Sequence, residues 1–327
     1  MNRGATQPIE PTEAWIEANG LRHHVLTWNA EGAPAIVLCH GFLDLAWSFH
    51  PLAQRLAAAG LRVLALDWRG HGETDWVGAG GYYHFADYVL DLHALMPALR
   101  GEAGEVHLVG HSMGGTAAAL YAGTHPGALS TLTLIEGLGP PAFTGAAPDK
   151  MVAWLESVDR LRARGEKPIR DHIVAPLRDG RPAPAEETRR GGAGQVPAYR
   201  HSAPLRDLDD AVKRLRAQTP ALPEELARFL AEKATTRSGE GLRWRFDPLH
   251  RTTSPLPFAR DAFVSFLSRI DAPALIVSGG RGFRTEDHAE RVAALRSARE
   301  VEIPDVGHMI HWLAPDALAG AILDHVR

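Results

Sequence analysis

Short apolar segments alternate with amphipathic segments between residues 35 and 135, and this alternation restricts the fold more than any other feature. Four apolar runs of strand type are separated by three segments of helical spacing. Continuously apolar strands separated by helices indicate right-handed βαβ units whose helices cover both faces of a parallel sheet. The sequence therefore predicts an α/β fold with a mostly parallel, doubly wound sheet. The predicted strands are Ala35–Cys39, Leu61–Leu66, Val106–Val109 and Thr131–Ile135, and the predicted helices are Pro51–Ala59, Phe85–Leu99 and Met113–Gly123.

The alternation stops after Gly137 and resumes only near Ala272. We expect one core domain, residues 1–138 and 270–327, interrupted by an inserted helical cap, or lid, of residues 139–269. An insertion at this point lies above the carboxyl edge of the sheet, where open α/β sheets bind their ligands. Asn19-Gly20 adds a predicted N-terminal hairpin, because this dipeptide favours a type I′ turn. The remaining predicted elements are a strand at Ala272–Ser278, a helix near Glu286–Ser297, a strand at Val301–Ile303 and a helix at Ala314–Val326.

Charge and composition limit the partners. The chain has 35 Lys and Arg against 39 Asp and Glu, a net charge of −4, so no basic surface for nucleic acid is expected. A single cysteine, Cys39, excludes an internal disulfide. The first fifteen residues lack the apolar stretch of a secretory signal, and no apolar run is long enough to span a membrane. We therefore expect a cytoplasmic protein that binds a small molecule; the sequence does not give its oligomeric state.

Gly110-His111-Ser112-Met113-Gly114 matches the pattern G-x-S-x-G, in which a serine occupies a sharp turn between a strand and a helix. The context fits, because a predicted strand precedes the motif and an Ala-rich helix follows it. The flanking glycines relieve crowding around a strained serine. Ser112 at a helix N-terminus would also face unpaired N–H groups that favour negative charge. Ser112 is therefore the candidate nucleophile.

The order of the motifs resembles that of the α/β-hydrolase fold. The motifs are the elbow just described, a turn at His40-Gly41-Phe42, the segment Asp67–Gly72 and the pair Gly307-His308. The segments around Glu136 and from Arg243 to His250 are similar to the serine hydrolase-like group. The resemblance implies an oxyanion hole formed by the backbone N–H groups of Phe42 and Met113. We interpret His40, Asp67 and Arg69 as residues that brace their loops.

A serine hydroxyl needs a base to remove its proton. His308 is predicted to be that base, because it follows a short strand and stands where the resemblance places it, after serine and acid in the chain. We expect His311, three residues later, to be a wall or packing residue. The pairs His308-x-x-His311 and His23-His24 lack a convincing third ligand, so no metal site is predicted. No nucleotide-binding glycine pattern follows the first strands, and no cofactor is expected.

The acid of the triad departs from the pattern that most members of the fold share. The resemblance places an aspartate a few residues after the strand Ala272–Ser278, where this chain has Gly282. Glu136 instead follows the preceding strand, Thr131–Ile135, and some members of the fold carry the acid there. We expect the ends of these two strands to be neighbours, and Glu136 is therefore the predicted acid. Asp287 and Glu286 remain alternatives.

Together these residues predict a cofactor-free serine hydrolase that cleaves a small or medium carboxylic ester through an acyl-enzyme. We expect Trp47, His111, Trp154 and Met309 to contact the substrate. Alternatives are a lactone, an amide or a C–C bond as substrate, an acyl acceptor other than water, and a ligand receptor without turnover. Epoxide hydrolases of this fold use an aspartate as nucleophile, and Ser112 cannot form the alkyl ester that their reaction requires.

Overall fold

The computed structural model describes residues 8–78, 80–163, 205–239 and 241–327. Eight of the ten strands in these residues form one sheet, with the order β1-β2-β4-β3-β5-β6-β9-β10. The six strands from β4 to β10 are parallel, and the hairpin β1-β2 joins the sheet antiparallel to β4. The predicted mostly parallel sheet is thus confirmed. The strands are β1 (Thr12–Ala18), β2 (Leu21–Trp28), β3 (Ala35–Cys39), β4 (Arg62–Leu66), β5 (Val106–His111), β6 (Thr131–Ile135), β7 (Thr235–Ser238), β8 (Gly241–Trp244), β9 (Ala274–Gly279) and β10 (Ala298–Ile303).

Helices cover both faces of the sheet. Leu92 of one helix packs with Ala117 of the next on one face, and Leu52 packs with Ile322 on the other. Because apolar clusters cover the sheet on both faces, every residue of β3, β5 and β6 is buried. The α-helices are α1 (His50–Ala58), α2 (Phe85–Arg100), α3 (Met113–Thr124), α4 (Ala147–Ala163), α5 (Leu208–Gln218), α6 (Glu224–Ala234), α7 (Arg260–Leu267), α8 (His288–Ala294), α9 (Ile310–Leu313) and α10 (Pro315–Val326).

The turn between β1 and β2 follows the sequence prediction. Asn19 and Gly20 both have positive φ, 53° and 75°, as a type I′ turn requires. No helix among the described residues is long and apolar enough to cross a membrane. The cytoplasmic location stays a prediction.

The segment between β6 and β9 contains α4 to α7 and, in addition, the antiparallel pair β7-β8, which the sequence did not predict. Trp244 and Leu230 of this segment pack with Trp312 of α9, so an apolar cluster joins the insertion to the segment after His308. Residues 164–204 of the predicted cap lie outside the described residues. The division into core and cap stays a prediction.

Candidate active site

Ser112 lies between the end of β5 and the start of α3, at the carboxyl edge of the sheet. Its backbone has φ 52° and ψ −117°, a conformation that costs energy for any residue with a side chain and recurs at functional sites. A Cβ at Gly114 would lie 2.7 Å from the carbonyl carbon of Cys39, so the first turn of α3 presses directly on the end of β3. These backbone contacts fix where the serine stands.

The turn after β3 runs beside Ser112. A Cβ at Gly41 would lie 3.3 Å from the Cβ of Ser112, so this turn is separated from the serine by no more than a van der Waals contact. Phe42, the next residue, carries one of the two N–H groups of the predicted oxyanion hole. Met113, which carries the other, is the first residue of α3, where helical N–H groups have no partner within the helix.

Two buried histidines hold this turn. His40 donates from Nδ1 to the Gly41 carbonyl at 2.7 Å and accepts at Nε2 from the Trp68 N–H at 3.1 Å. Leu43, with a positive φ of 56°, donates its N–H to Nε2 of His71 at 3.3 Å. Burial lowers the pKa of His40, and burial together with nearby His250 lowers that of His71, so both stay neutral and can accept. The sequence did not predict the part played by His71.

Glu136 follows β6 as Ser112 follows β5, also with a positive φ, 49°. Its carboxylate is buried and accepts the N–H groups of Gly279 and Phe283, each at 2.8 Å. Nδ1 of His308 lies 3.4 Å from Oε2. Burial alone would raise the pKa of Glu136, but the hydrogen bonds from His308 and the two N–H groups outweigh it, so the pKa is lowered. Glu136 is therefore a charged acceptor for an imidazole.

Gly282, the position at which most members of the fold would carry an aspartate, touches this carboxylate. A Cβ at residue 282 would lie 2.6 Å from Cδ of Glu136 and 2.7 Å from Oε2. The carboxylate of Glu136 thus occupies the space that a side chain at 282 would enter. The absence of an aspartate at position 282 and the presence of a carboxylate on the neighbouring strand are therefore linked.

The alternative acids lie in other environments. Asp287 precedes α8 and binds the guanidinium of buried Arg291 at 2.8 and 2.9 Å. The same guanidinium donates to the Leu138 carbonyl at 2.8 Å, so Asp287 balances a buried charge. Glu286 is exposed. Of the three carboxylates considered, the structure brings Glu136 to His308.

His308 follows β10, and its side chain is 44% exposed. Nδ1 faces Glu136, which leaves Nε2 as the nitrogen that can act on a substrate or on Ser112. The carbonyl of His308 accepts from Nε2 of His111 at 3.0 Å, and the two rings lie 4.7 Å apart. His111 is only 2% exposed, and this hydrogen bond ties its ring to the backbone of His308. Its prediction as a substrate contact is untested, and its position suits holding His308.

Of the other predicted substrate residues, Trp154 lies in the segment between β6 and β9, whereas Trp47 and Met309 lie outside it. Trp47 is buried between Trp28 and Phe229, and Nζ of Lys233 lies 3.7 Å above its ring. Trp154 on α4 donates from Nε1 to the Tyr82 hydroxyl at 2.7 Å. Met309 is half-buried beside His308 and packs against the cluster that joins the insertion to α9. Their roles in binding stay predictions.

Asp67 and Arg69 make the contacts of bracing residues. The carboxylate of Asp67 accepts from the His24 ring at 2.7 Å and from the backbone N–H of Ala46 at 2.6 Å. Arg69 binds Asp91 through two nitrogens, at 2.5 and 2.6 Å. Both acids are almost completely buried, which explains why each needs several donors.

Comparisons with known proteins agree with this geometry. Residues 34–171 match the family model described as the alpha/beta hydrolase fold. A protein named epoxide hydrolase A from Mycobacterium tuberculosis is 29% identical over 96% of this chain and 97% of its own length. A serine hydrolase-like protein from Danio rerio is 21% identical over 100% of this chain and 90% of its own. A solved thioesterase domain from the curacin biosynthetic pathway is 25% identical with a TM-score of 0.75, covering 96% of this chain and 99% of that domain.

The sheet order, the position of the site at the carboxyl edge and these likenesses define the class: the protein has the α/β-hydrolase fold. The chain is similar to the serine hydrolase-like proteins, as its motifs predicted.

Proposed function

We propose that the protein is a serine hydrolase that cleaves small or medium carboxylic esters through an acyl-enzyme. One observation carries the proposal. The charged Glu136 carboxylate, held by two backbone N–H groups, faces Nδ1 of His308 at the same sheet edge as the strained Ser112. Acid, base and nucleophile at one edge are what acyl transfer by serine requires.

In the proposed mechanism, Nε2 of His308 takes the proton of the Ser112 hydroxyl as the oxygen attacks the ester carbonyl. Glu136 accepts the Nδ1–H, which fixes the tautomer and stabilises the imidazolium. The N–H groups of Phe42 and Met113 bind the oxyanion, a contribution worth several kcal/mol in such sites. His308 then returns the proton to the leaving alcohol, and water, activated by the same nitrogen, releases the acid.

The relative named epoxide hydrolase makes epoxide opening the natural competitor. A carboxylate nucleophile forms an ester with the opened epoxide, and water can cleave that ester. A serine oxygen would form an ether, which the site has no means to hydrolyse. Ser112 therefore favours acyl chemistry, and the likeness to a thioesterase domain fits an acyl substrate.

We also propose that residues 139–269 act as the cap above this site and select the acyl group. Three contacts support this role. Tyr83 stacks on His250 at 3.8 Å and donates its hydroxyl to Asp247 at 2.7 Å, and the ring of Phe42 meets His250 edge-on at 6.4 Å. The insertion thus reaches the turn that carries the proposed oxyanion donor.

The test is a panel of p-nitrophenyl esters of increasing acyl length, with lactones and styrene oxide alongside, on the native protein and on Ser112→Ala. We expect ester turnover that Ser112→Ala lowers by at least about 10⁴-fold, because the nucleophile is absent. A fluorophosphonate probe should label the native protein and not the variant. Equal ester rates in the two proteins, or turnover of the epoxide alone, would refute the proposal.

A further inference from the structure

Three buried side chains meet behind the candidate active site without a role in the proposed reaction. Asp44, His111 and His311 are 9%, 2% and 0% exposed. One nitrogen or oxygen from each lies within 4.8 Å of the other two. The three residues come from distant parts of the chain, so the fold alone brings them together.

His111 has the hydrogen bonding of a metal-binding histidine. Its Nε2 must donate to the His308 carbonyl, at 3.0 Å, because a carbonyl can only accept. Nδ1 therefore carries a lone pair. This atom is buried and has no hydrogen-bond partner among the described residues. Histidines that bind metals commonly donate their other N–H to a backbone carbonyl, which orients the ring and fixes the tautomer.

Asp44 and His311 have the spacing of two ligands of one ion. Nε2 of His311 lies 3.4 Å from Oδ2 of Asp44. Two ligands held tetrahedrally at the usual zinc distances of about 2.0–2.2 Å are also separated by about 3.4 Å. Asp44 is itself oriented, since Oδ1 accepts from the Leu45 N–H and Oδ2 from the Ser48 hydroxyl, both at 2.9 Å.

We propose that Asp44, His111 and His311 form a binding site for a divalent transition-metal ion of the zinc type. Two imidazoles and one carboxylate suit zinc, cobalt or nickel, whereas calcium and magnesium prefer oxygen ligands alone. The Ser48 hydroxyl, 3.5 Å from Nε2 of His311, stands beside the place of a fourth ligand. The sequence predicted no metal site, and the pairs His308-x-x-His311 and His23-His24 that it rejected are not this site. His311 joins His111 and Asp44 instead.

The positions of these three residues in the chain imply a structural role for the ion. Asp44 lies two residues after Phe42, His111 directly precedes Ser112, and His311 lies three residues after His308. An ion bound by all three would tie together the segments that carry the oxyanion donor, the nucleophile and the base. No step of the proposed ester cleavage passes through it, so the two proposals can fail separately.

The test uses the full-length protein, treated with a chelator and then titrated with Zn²⁺ in a calorimeter, with long equilibration because the cluster is buried. We expect one ion per chain with micromolar or tighter affinity. His311→Gln and Asp44→Asn each remove a ligand and should weaken binding at least about 100-fold. His93→Gln is the matched control, because His93 and His125 form an accessible pair with nitrogens 2.9 Å apart. We expect this variant to bind like the native protein.

Two measurements on the native protein do not depend on whether the variants fold. Co²⁺ in the site should give the intense visible bands of four-coordinate cobalt. At a free Zn²⁺ concentration about 100-fold above Kd, the thermal midpoint should rise by roughly 3–5 °C. The proposal is wrong if the native protein binds no ion, if Co²⁺ gives only a weak octahedral spectrum, or if His93→Gln abolishes binding while the ligand variants retain it.

Discussion

Gly282→Ala tests whether Glu136 serves as the acid, through a single methyl group added outside the triad. The new Cβ would lie 2.6 Å from Cδ of Glu136, whereas ordinary contacts begin at 3.4 Å. Oε1 would lie nearer still, so the carboxylate must retreat by more than about 1 Å. It would leave the 3.4 Å contact with His308 and stretch the 2.8 Å bond from Phe283. A misplacement of about 1 Å costs on the order of 100-fold in rate, so kcat for a p-nitrophenyl ester should fall by about that factor with little change in KM.

The matched control is Gly280→Ala in the same loop. Its Cβ would lie 3.3 Å from Cα of Pro304, a contact that a small shift relieves, and it does not approach Glu136. We expect kcat within about threefold of native, as for other mild substitutions. Circular dichroism and the thermal midpoint should show that both variants fold.

A relocation of the carboxylate strengthens the test. Glu136→Gly empties the space beside residue 282, and its left-handed backbone suits glycine. Adding Gly282→Asp should return a carboxylate to His308, so the double variant should exceed Glu136→Gly alone by at least about tenfold. Native kcat in a folded Gly282→Ala protein would refute the reasoning.

Two further predictions concern buried carboxylates. Glu136→Gln should lower kcat by about 10²- to 10⁴-fold with the fold intact. Asp287→Asn should leave kcat near native and lower the thermal midpoint, because buried Arg291 loses its partner. The reverse pattern would identify Asp287 as the acid of the triad. Asp67→Asn should lower the free energy of unfolding by about 3 kcal/mol at pH 7, measured by urea denaturation. Burial alone would raise the pKa of Asp67, but His24 and other donors lower it below its ordinary value of 3.8. The charged carboxylate therefore contributes fully to the free energy of unfolding above that pH, and this contribution is lost on acidification. The difference between native and variant should therefore shrink below about pH 4, and a difference that grows there would contradict the linkage.

Sequence patterns predicted the parts of the fold that rest on apolar periodicity. Strand β6 has the predicted bounds, and helix α10 begins one residue later than predicted. The pair β7-β8 was missed because its four-residue strands lack a regular alternation of apolar and polar residues. Such short strands are set by tertiary contacts, since Trp244 packs into the cluster beside α6.

At the site, the sequence predicted which strand ends carry Ser112, Glu136 and His308, because parallel strands end at the same edge. It could not show that Gly282 makes room for the Glu136 carboxylate, which is a contact between two loops. The grouping of Asp44 with His111 and His311 was also out of reach, because burial and side-chain direction at these positions depend on the packed sheet. Asp44 and His311 are 267 positions apart in the sequence, so no local pattern marks them as neighbours.

The insertion between β6 and β9 has a practical consequence for protein engineering. Ser112, Glu136, His308 and the proposed oxyanion donors all lie outside residues 139–269. If residues 139–269 form the proposed cap, a library confined to them would vary the substrate space and leave the proposed reacting groups unaltered. Under the same proposal, exchange of this segment with that of a related hydrolase would change the acyl preference, provided that Asp247 and His250 are kept where they touch Tyr83.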